Sequence, residues 1–153
     1  QPAGRDLRFI TTGLKITTDL ERIGDMAVNI CVRALELNQE PQLKPYIDIP
    51  RMARISQRMI RESLDAFVRE DTELALKVCK DDDEVDQLNA QIFRETLTFM
   101  LENAQTISRA TKISSLSKYL ERIADHATNI AEMVIFMVKG KSIRHMKELP
   151  PSV

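Results

Sequence analysis

Tryptophan is absent from this 153-residue chain, and tyrosine occurs only 2 times. Glycine, with 4 residues, and proline, with 6, are also scarce. A chain so poor in β-forming aromatics and in breakers cannot supply the strands and turns of a sandwich or barrel, so long helices are expected. The 2 cysteines, Cys31 and Cys79, have no metal-type spacing, which excludes a zinc knuckle or a disulfide framework. Both are expected to be small core residues of a cytoplasmic protein. No sign of charge dominates: the formal net charge is −1, and a broad nucleic-acid surface is excluded. The apolar run Met133 to Val138 is far too short to cross a bilayer. No secretory signal opens the chain, and it carries no Gly-rich phosphate loop and no Ser-His-Asp set. What is present, 43% hydrophobic and 29% charged residues, describes a soluble globular protein of one ordinary domain or two small ones.

Apolar residues then recur with helical period. Leu7, Ile10, Leu14, Leu20, Ile23, Ala27, Ile30, Ala34 and Leu37 step mostly by three and four, which predicts one buried stripe on a first helix ending near residue 38. Pro41 and Pro45 lie beyond it, so 39–50 reads as a linker. A second helix is expected from about Pro50 to Arg69, lined by Met52, Ile55, Met59, Ile60, Leu64 and Phe67. A third follows from about Thr72 to Glu102, with Asp71 or Thr72 as its cap and Val78, Val85, Leu88, Ile92 and Phe93 on its stripe. After a turn near Asn103–Thr106, the fourth carries Ile113, Leu116, Leu120, Ile123, Ala127, Ile130, Val134 and Met137, and stops at Gly140. Short turns join the last three helices, so they are expected to form an antiparallel three-helix bundle over 51–140. The tail 141–153 is basic and is expected to be flexible. The apolar stripe of the first helix must be covered by this bundle, by a second copy of the chain, or by both.

The chain also repeats itself. Leu20-Glu21-Arg22-Ile23-Gly24-Asp25-Met26-Ala27-Val28-Asn29-Ile30 returns as Leu120-Glu121-Arg122-Ile123-Ala124-Asp125-His126-Ala127-Thr128-Asn129-Ile130, offset by 100 positions with three differences in eleven. One helix was used twice, and its polar residues were kept with its apolar ones. Glu21, Asp25 and Asn29, and again Glu121, Asp125 and Asn129, follow an i, i+4, i+8 spacing. On an α-helix this builds a ladder of oxygen ligands roughly 6 Å per rung. By helical projection both ladders centre opposite the core stripe and face outward. Asp82 and Asp86, also four apart, lie nearer the flank of their stripe beside Val85, where they can approach the fourth helix.

These segments, with Arg5-Asp6-Leu7-Arg8, Asp82-Asp83-Glu84-Val85-Asp86 and Val138-Lys139-Gly140, resemble the PhoU family from end to end of the chain. The resemblance implies an all-α fold of three-helix repeats. Residues 1–38 then correspond to the last helix of an incomplete first repeat, and 51–140 to a complete second one. It implies a regulator rather than an enzyme: a negative regulator of phosphate uptake and phosphate-starvation signalling, working as an adaptor. The implied partners are the ATPase of the phosphate transporter and its sensor histidine kinase. A cytoplasmic homodimer is expected, touching the membrane only through those partners. The family's acidic motifs hold iron or zinc clusters in some members. Carried over, the candidate metal ligands are Glu21, Asp25, Asn29, Asp82, Asp86, Glu121, Asp125 and Asn129.

Three readings of these acids compete. Oxygen-only ligands suit hard ions such as magnesium, manganese or ferric iron, and clustered carboxylates repel unless a cation or basic partner joins them. A catalytic di-metal bundle would need Glu-x-x-His pairs aimed into the core, and none occurs. The plain alternative is a structural module whose acidic faces are only solvated or bind proteins. His126, opposite Met26 in the repeat, is expected to be incidental, and His145 to be solvated. Arg22 and Arg122 are expected to bridge to a neighbouring helix. Phosphate itself has no basic pocket or nest in view, so sensing is expected to come through partners.

Overall fold

The computed structural model describes residues 2–140 and consists of four α-helices: α1 (Pro2–Asn38), α2 (Asp48–Arg69), α3 (Thr72–Glu102) and α4 (Ile107–Lys139). A single 3-10 turn, Ala104–Thr106, precedes α4. The tail from Lys141, with His145, lies outside the described residues. Each boundary has a chemical cause. Glu70 takes a left-handed conformation (φ 53°) and closes α2, while the Asp71 carboxylate accepts from Leu74 N at 3.1 Å and opens α3. Asn103 accepts from Gln105 N at 2.9 Å, and Thr106 Oγ1 donates to Phe99 O at 2.8 Å, so the α3–α4 turn satisfies its own backbone. Gly140, at φ 66°, ends α4 and donates to Phe136 O at 2.7 Å.

Helices α2, α3 and α4 enclose the main core, in which Met52, Met59, Val78, Val85, Ala127 and Val134 are fully buried. Ala110, Ala124, Ala127 and Ala131 are all inaccessible and let other helices approach α4 closely. All eight stripe residues expected on α4 are buried. On α2, Met52, Ile55 and Met59 are buried and Ile60, Leu64 and Phe67 half-buried; the last three turn toward α1. The α1–α2 connection is shorter than 39–50, because α2 starts at Asp48. It is tied down by a Lys44–Glu95 ion pair and by Arg109 Nη1 donating to Pro41 O at 3.0 Å.

Helix α1 departs from expectation. It lies along α4 through Ile16 and Ile23, which form a second small core with Ile123 and Ile130. Phe9 stacks on Phe67 at 4.5 Å, and Gly13 leaves room for that ring: a Cβ there would sit 3.3 Å from Phe67. Yet Leu7, Ile10, Leu14, Leu20 and Ala27, placed on the buried stripe by their spacing, are exposed. The physical reason is that α1 carries two apolar faces about half a turn apart, and α4 covers one. Two smaller expectations also fail. Cys31 is exposed and Cys79 only half-buried, and Phe93 on α3 is exposed rather than in the core.

Ile130 is wholly buried between α1 and α4, whereas Leu101 is 80% exposed. Ile130→Ala is expected to cost about 2–5 kcal/mol of stability, and Leu101→Ala less than about 0.5 kcal/mol. Urea unfolding followed by circular dichroism measures both.

Candidate metal centre

The acidic run Asp81-Asp82-Asp83-Glu84 is held by the phase of α3. Val78 and Val85 point into the core, which turns Asp82 and Asp86 to the seam with α4. Across that seam, Ala124 and Ala127 bring the α4 backbone close, and Asp125 stands beside them on the flank. One carboxylate oxygen from each of Asp82, Asp86 and Asp125 lies within 4.8 Å of the others. Asp82 is half-buried, and Asp86 and Asp125 are exposed. Asp82 Oδ1 is buried with no hydrogen-bond partner.

The electrostatics follow from this geometry. Burial, then the negative charges of Asp86, Asp125, Asp83 and Glu121, raise the Asp82 carboxyl from 3.8 to about 7. Burial, then the charges of Asp125, Glu121 and Asp83, raise Asp86, with Lys118 acting against them. Asp125 is raised by burial and Glu121, and moderated by Lys118 and His126. Glu121 is the fourth carboxylate, but it is already engaged. Asn89 Nδ2 donates to it, Lys118 Nζ lies 3.1 Å away, and Ser117 Oγ donates to Asn89 Oδ1 at 2.7 Å. Asn89, Ser117 and Lys118 were not singled out from sequence, because single polar residues beside an acid carry no periodic signal.

The eight candidate ligands are thus not equivalent. Asp82, Asp86 and Asp125 come together, with Glu121 alongside. Asn129 is exposed and lines a different concavity with Thr12, Lys15, Asp19, Glu132 and Phe136. Glu21, Asp25 and Asn29 are exposed on α1, and among the described residues no close group of three ligands includes them. Glu121 is half-buried at the α3 seam, not opposite the core as the projection placed it. Arg22 and Arg122 are exposed and make no ion pair among the described residues. His126 is not incidental: its Nδ1 lies 2.8 Å from Asp19 Oδ1, with both side chains nearly buried between α1 and α4. The one clue in the sequence was the exchange of Met26 for His126 between the copies.

The PhoU domain model matches residues 1–34 and 49–134. Two similar relatives are named "Phosphate-specific transport system accessory protein PhoU homolog". The one from Pseudomonas aeruginosa is 43% identical over 147 residues, covering 95% of this chain and 61% of the relative. The one from Aquifex aeolicus is 46% identical over 145 residues, covering 95% of this chain and 66% of the relative. The chain therefore spans less than two thirds of their length. Among solved structures, PhoU from Pseudomonas aeruginosa matches with a TM-score of 0.86 at 42% identity, covering 92% of this chain and 68% of that one. The phosphate transport system regulatory protein PhoU from Streptococcus pneumoniae matches with a TM-score of 0.80 at 26% identity, covering 90% of this chain and 65% of that one. These names are those of accessory and regulatory proteins, not of enzymes.

The raised carboxyl of Asp82 gives a pH dependence with a definite sign. Because its pKa is higher folded (about 7) than unfolded (3.8), its contribution is fully present below the unfolded value and is lost as pH rises through the folded one. In chelator-treated protein, Asp82→Asn is therefore expected to stabilise the fold by about 1–2 kcal/mol at pH 8, reduced from the full linkage value by solvent screening. The gain narrows toward pH 5. Thermal unfolding of both proteins across that range checks it.

Proposed function

The chain belongs to the PhoU family, and we propose that it acts in phosphate transport as a regulatory adaptor rather than as an enzyme. The observation that carries this reading is the agreement of sequence and fold with PhoU proteins along nearly the whole chain. In this reading it restrains phosphate uptake and phosphate-starvation signalling in the cytoplasm, docking on the ATPase of the transporter and on the sensor histidine kinase, and it self-associates as a dimer. Residues 1–38 serve as the last helix of a first repeat, and 51–140 as the complete second repeat.

Asp82, Asp86 and Asp125 hold a hard cation in the same reading, with Glu121 as the adjoining acceptor. The support is chemical: an all-oxygen donor set, three carboxylates mutually close, and a buried Asp82 oxygen without a donor. Manganese, magnesium and iron suit such donors best, while zinc would more commonly recruit nitrogen or sulfur. A bound cation would offset both the burial and the mutual repulsion that raise these carboxyls. The first-copy residues Glu21, Asp25 and Asn29 stand on one helix only and make the weaker site.

Two measurements test this. Titration of chelator-treated protein with Mn²⁺ in a calorimeter is expected to show a site that Asp86→Asn with Asp125→Asn weakens at least about 100-fold, while Glu21→Gln with Asp25→Asn leaves it intact. Equal binding by all variants would refute the assignment. In a bacterium lacking its PhoU relative, the chain is expected to lower expression of a phosphate-starvation reporter in phosphate-rich medium. Failure there, together with no capture of the transporter ATPase, would sink the adaptor reading.

A further inference from the structure

The acidic centre of the α3–α4 seam carries a cation of its own. Lys118, Glu121 and Asp125 stand at i, i+3 and i+7, along one face of α4. Lys118 Nζ lies 3.1 Å from Glu121 Oε1 and 3.3 Å from Oε2. Burial and neighbouring acids raise the carboxyls of Asp86 and Asp125, and the charge of Lys118 opposes the rise in both. Other bases beside α3 are committed elsewhere: Arg51 to Glu84, and Arg58 and Lys77 to Asp81. Yet Lys118 is held by little. Its side chain is 51% exposed, against 16% for Glu121, so its ammonium can move into solvent without opening the core.

Glu121 is fixed from the other side by groups that packing holds in place. Ser117 is only 1% exposed. Its hydroxyl has two acceptors within reach, Asn89 Oδ1 at 2.7 Å and Met52 Sδ at 3.5 Å, and a thioether is the weaker acceptor. With the hydroxyl donating to Oδ1, the Asn89 amide is turned so that Nδ2 donates to Glu121 Oε2. Ser117 thus settles which way Asn89 faces, and Asn89 settles where Glu121 stands. The duplicated segment ties the lysine to the gathered acids. Its first copy keeps Glu21 and Asp25 but has Thr18 where the second has Lys118.

We propose that Lys118 is a built-in counter-ion which a bound cation displaces, and that Asn89 and Ser117 are positioning residues that keep Glu121 at the centre when Lys118 leaves. This rests on the reading of the centre as a cation site and adds what governs its affinity. Without a cation, the lysine offsets part of the repulsion among the acids. With one, its charge opposes the ion and its hold on Glu121 competes for an oxygen ligand. Lys118 therefore supports the fold and weakens binding. Asn89 donates a hydrogen bond and brings no charge, so it favours both.

The chelator-treated chain is titrated with Mn²⁺ in a calorimeter at fixed pH, and its Tm is followed with and without the ion. Lys118→Met is expected to bind about ten-fold more tightly than the unaltered chain. Lys118→Arg, which keeps the charge, stays within about three-fold of it. Lys118→Met also melts below the unaltered chain without Mn²⁺ and above it at saturating Mn²⁺, a reversal that a lysine serving stability alone does not produce. Ser117→Ala weakens binding, and Asn89→Leu weakens it about ten-fold. Neither has more than about a two-fold effect once Glu121→Ala is present, because both act through that carboxylate. If Lys118→Met binds no more tightly than the unaltered chain, the exchange is refuted while the site stands. If Asn89→Leu acts as strongly without Glu121 as with it, the positioning role is refuted. No Mn²⁺ binding by the unaltered chain overturns the cation reading and this proposal together.

Discussion

Three helices pack against α4, and the fold depends on the means by which one helix accommodates them. A helix with large side chains on every side would hold its neighbours apart. Here Ala110, Ala124, Ala127 and Ala131 are spaced along the buried arc, all without accessible surface. Between them Ile113, Leu120, Ile130 and Val134 fill the space that the alanines leave. The alternation lets α2 and α3 come close on one side while Ile123 and Ile130 take α1 on the other. Enlarging the alanines would separate the helices; shrinking the large residues would open cavities.

The acidic centre follows from the same close approach. Val78 and Val85 fix the rotation of α3, Ala124 and Ala127 fix its distance from α4, and the carboxylates of Asp82, Asp86 and Asp125 are left on the edges that meet. Packing therefore opposes electrostatics at this seam. The apolar burial of two long helices is large enough to hold three carboxyls where their charges are disfavoured, as the upward shift of Asp82 shows. The network from Ser117 through Asn89 to Glu121, closed by Lys118, bonds only the fourth acid. Local disfavour supported by the surrounding fold is the usual physical mark of a site kept for binding rather than for stability.

Much of this could be read from residue order. Period and end chemistry located all four helices, because Asp71 and Gly140 are local signals that act on their own backbone. The α4 stripe was legible because that helix has one large apolar face. The α1 stripe was not, since two apolar faces compete and only tertiary packing decides which is covered. The phase of Val85 was enough to bring Asp82 and Asp86 toward α4. The pair between His126 and Asp19 was invisible: its partners are 107 positions apart, and neither belongs to a period.

The duplicated segment shows how far sequence can specify environment. Leu120 is 5% exposed, and its counterpart Leu20 is 36% exposed. Ala127 is buried and Ala27 is exposed, although the residues around them are nearly the same. The difference lies in the helices that stand beside each copy. On α4, Glu121 and Asp125 stand against the acids of α3, and their charges add to burial in raising the Asp82 carboxyl. On α1, Glu21 and Asp25 have the same spacing but are exposed, and among the described residues no close group of three ligands includes them. The ladder therefore gathers no acids by itself. The flank of a neighbouring helix does, and the α3–α4 seam brings Asp82 and Asp86 to Asp125.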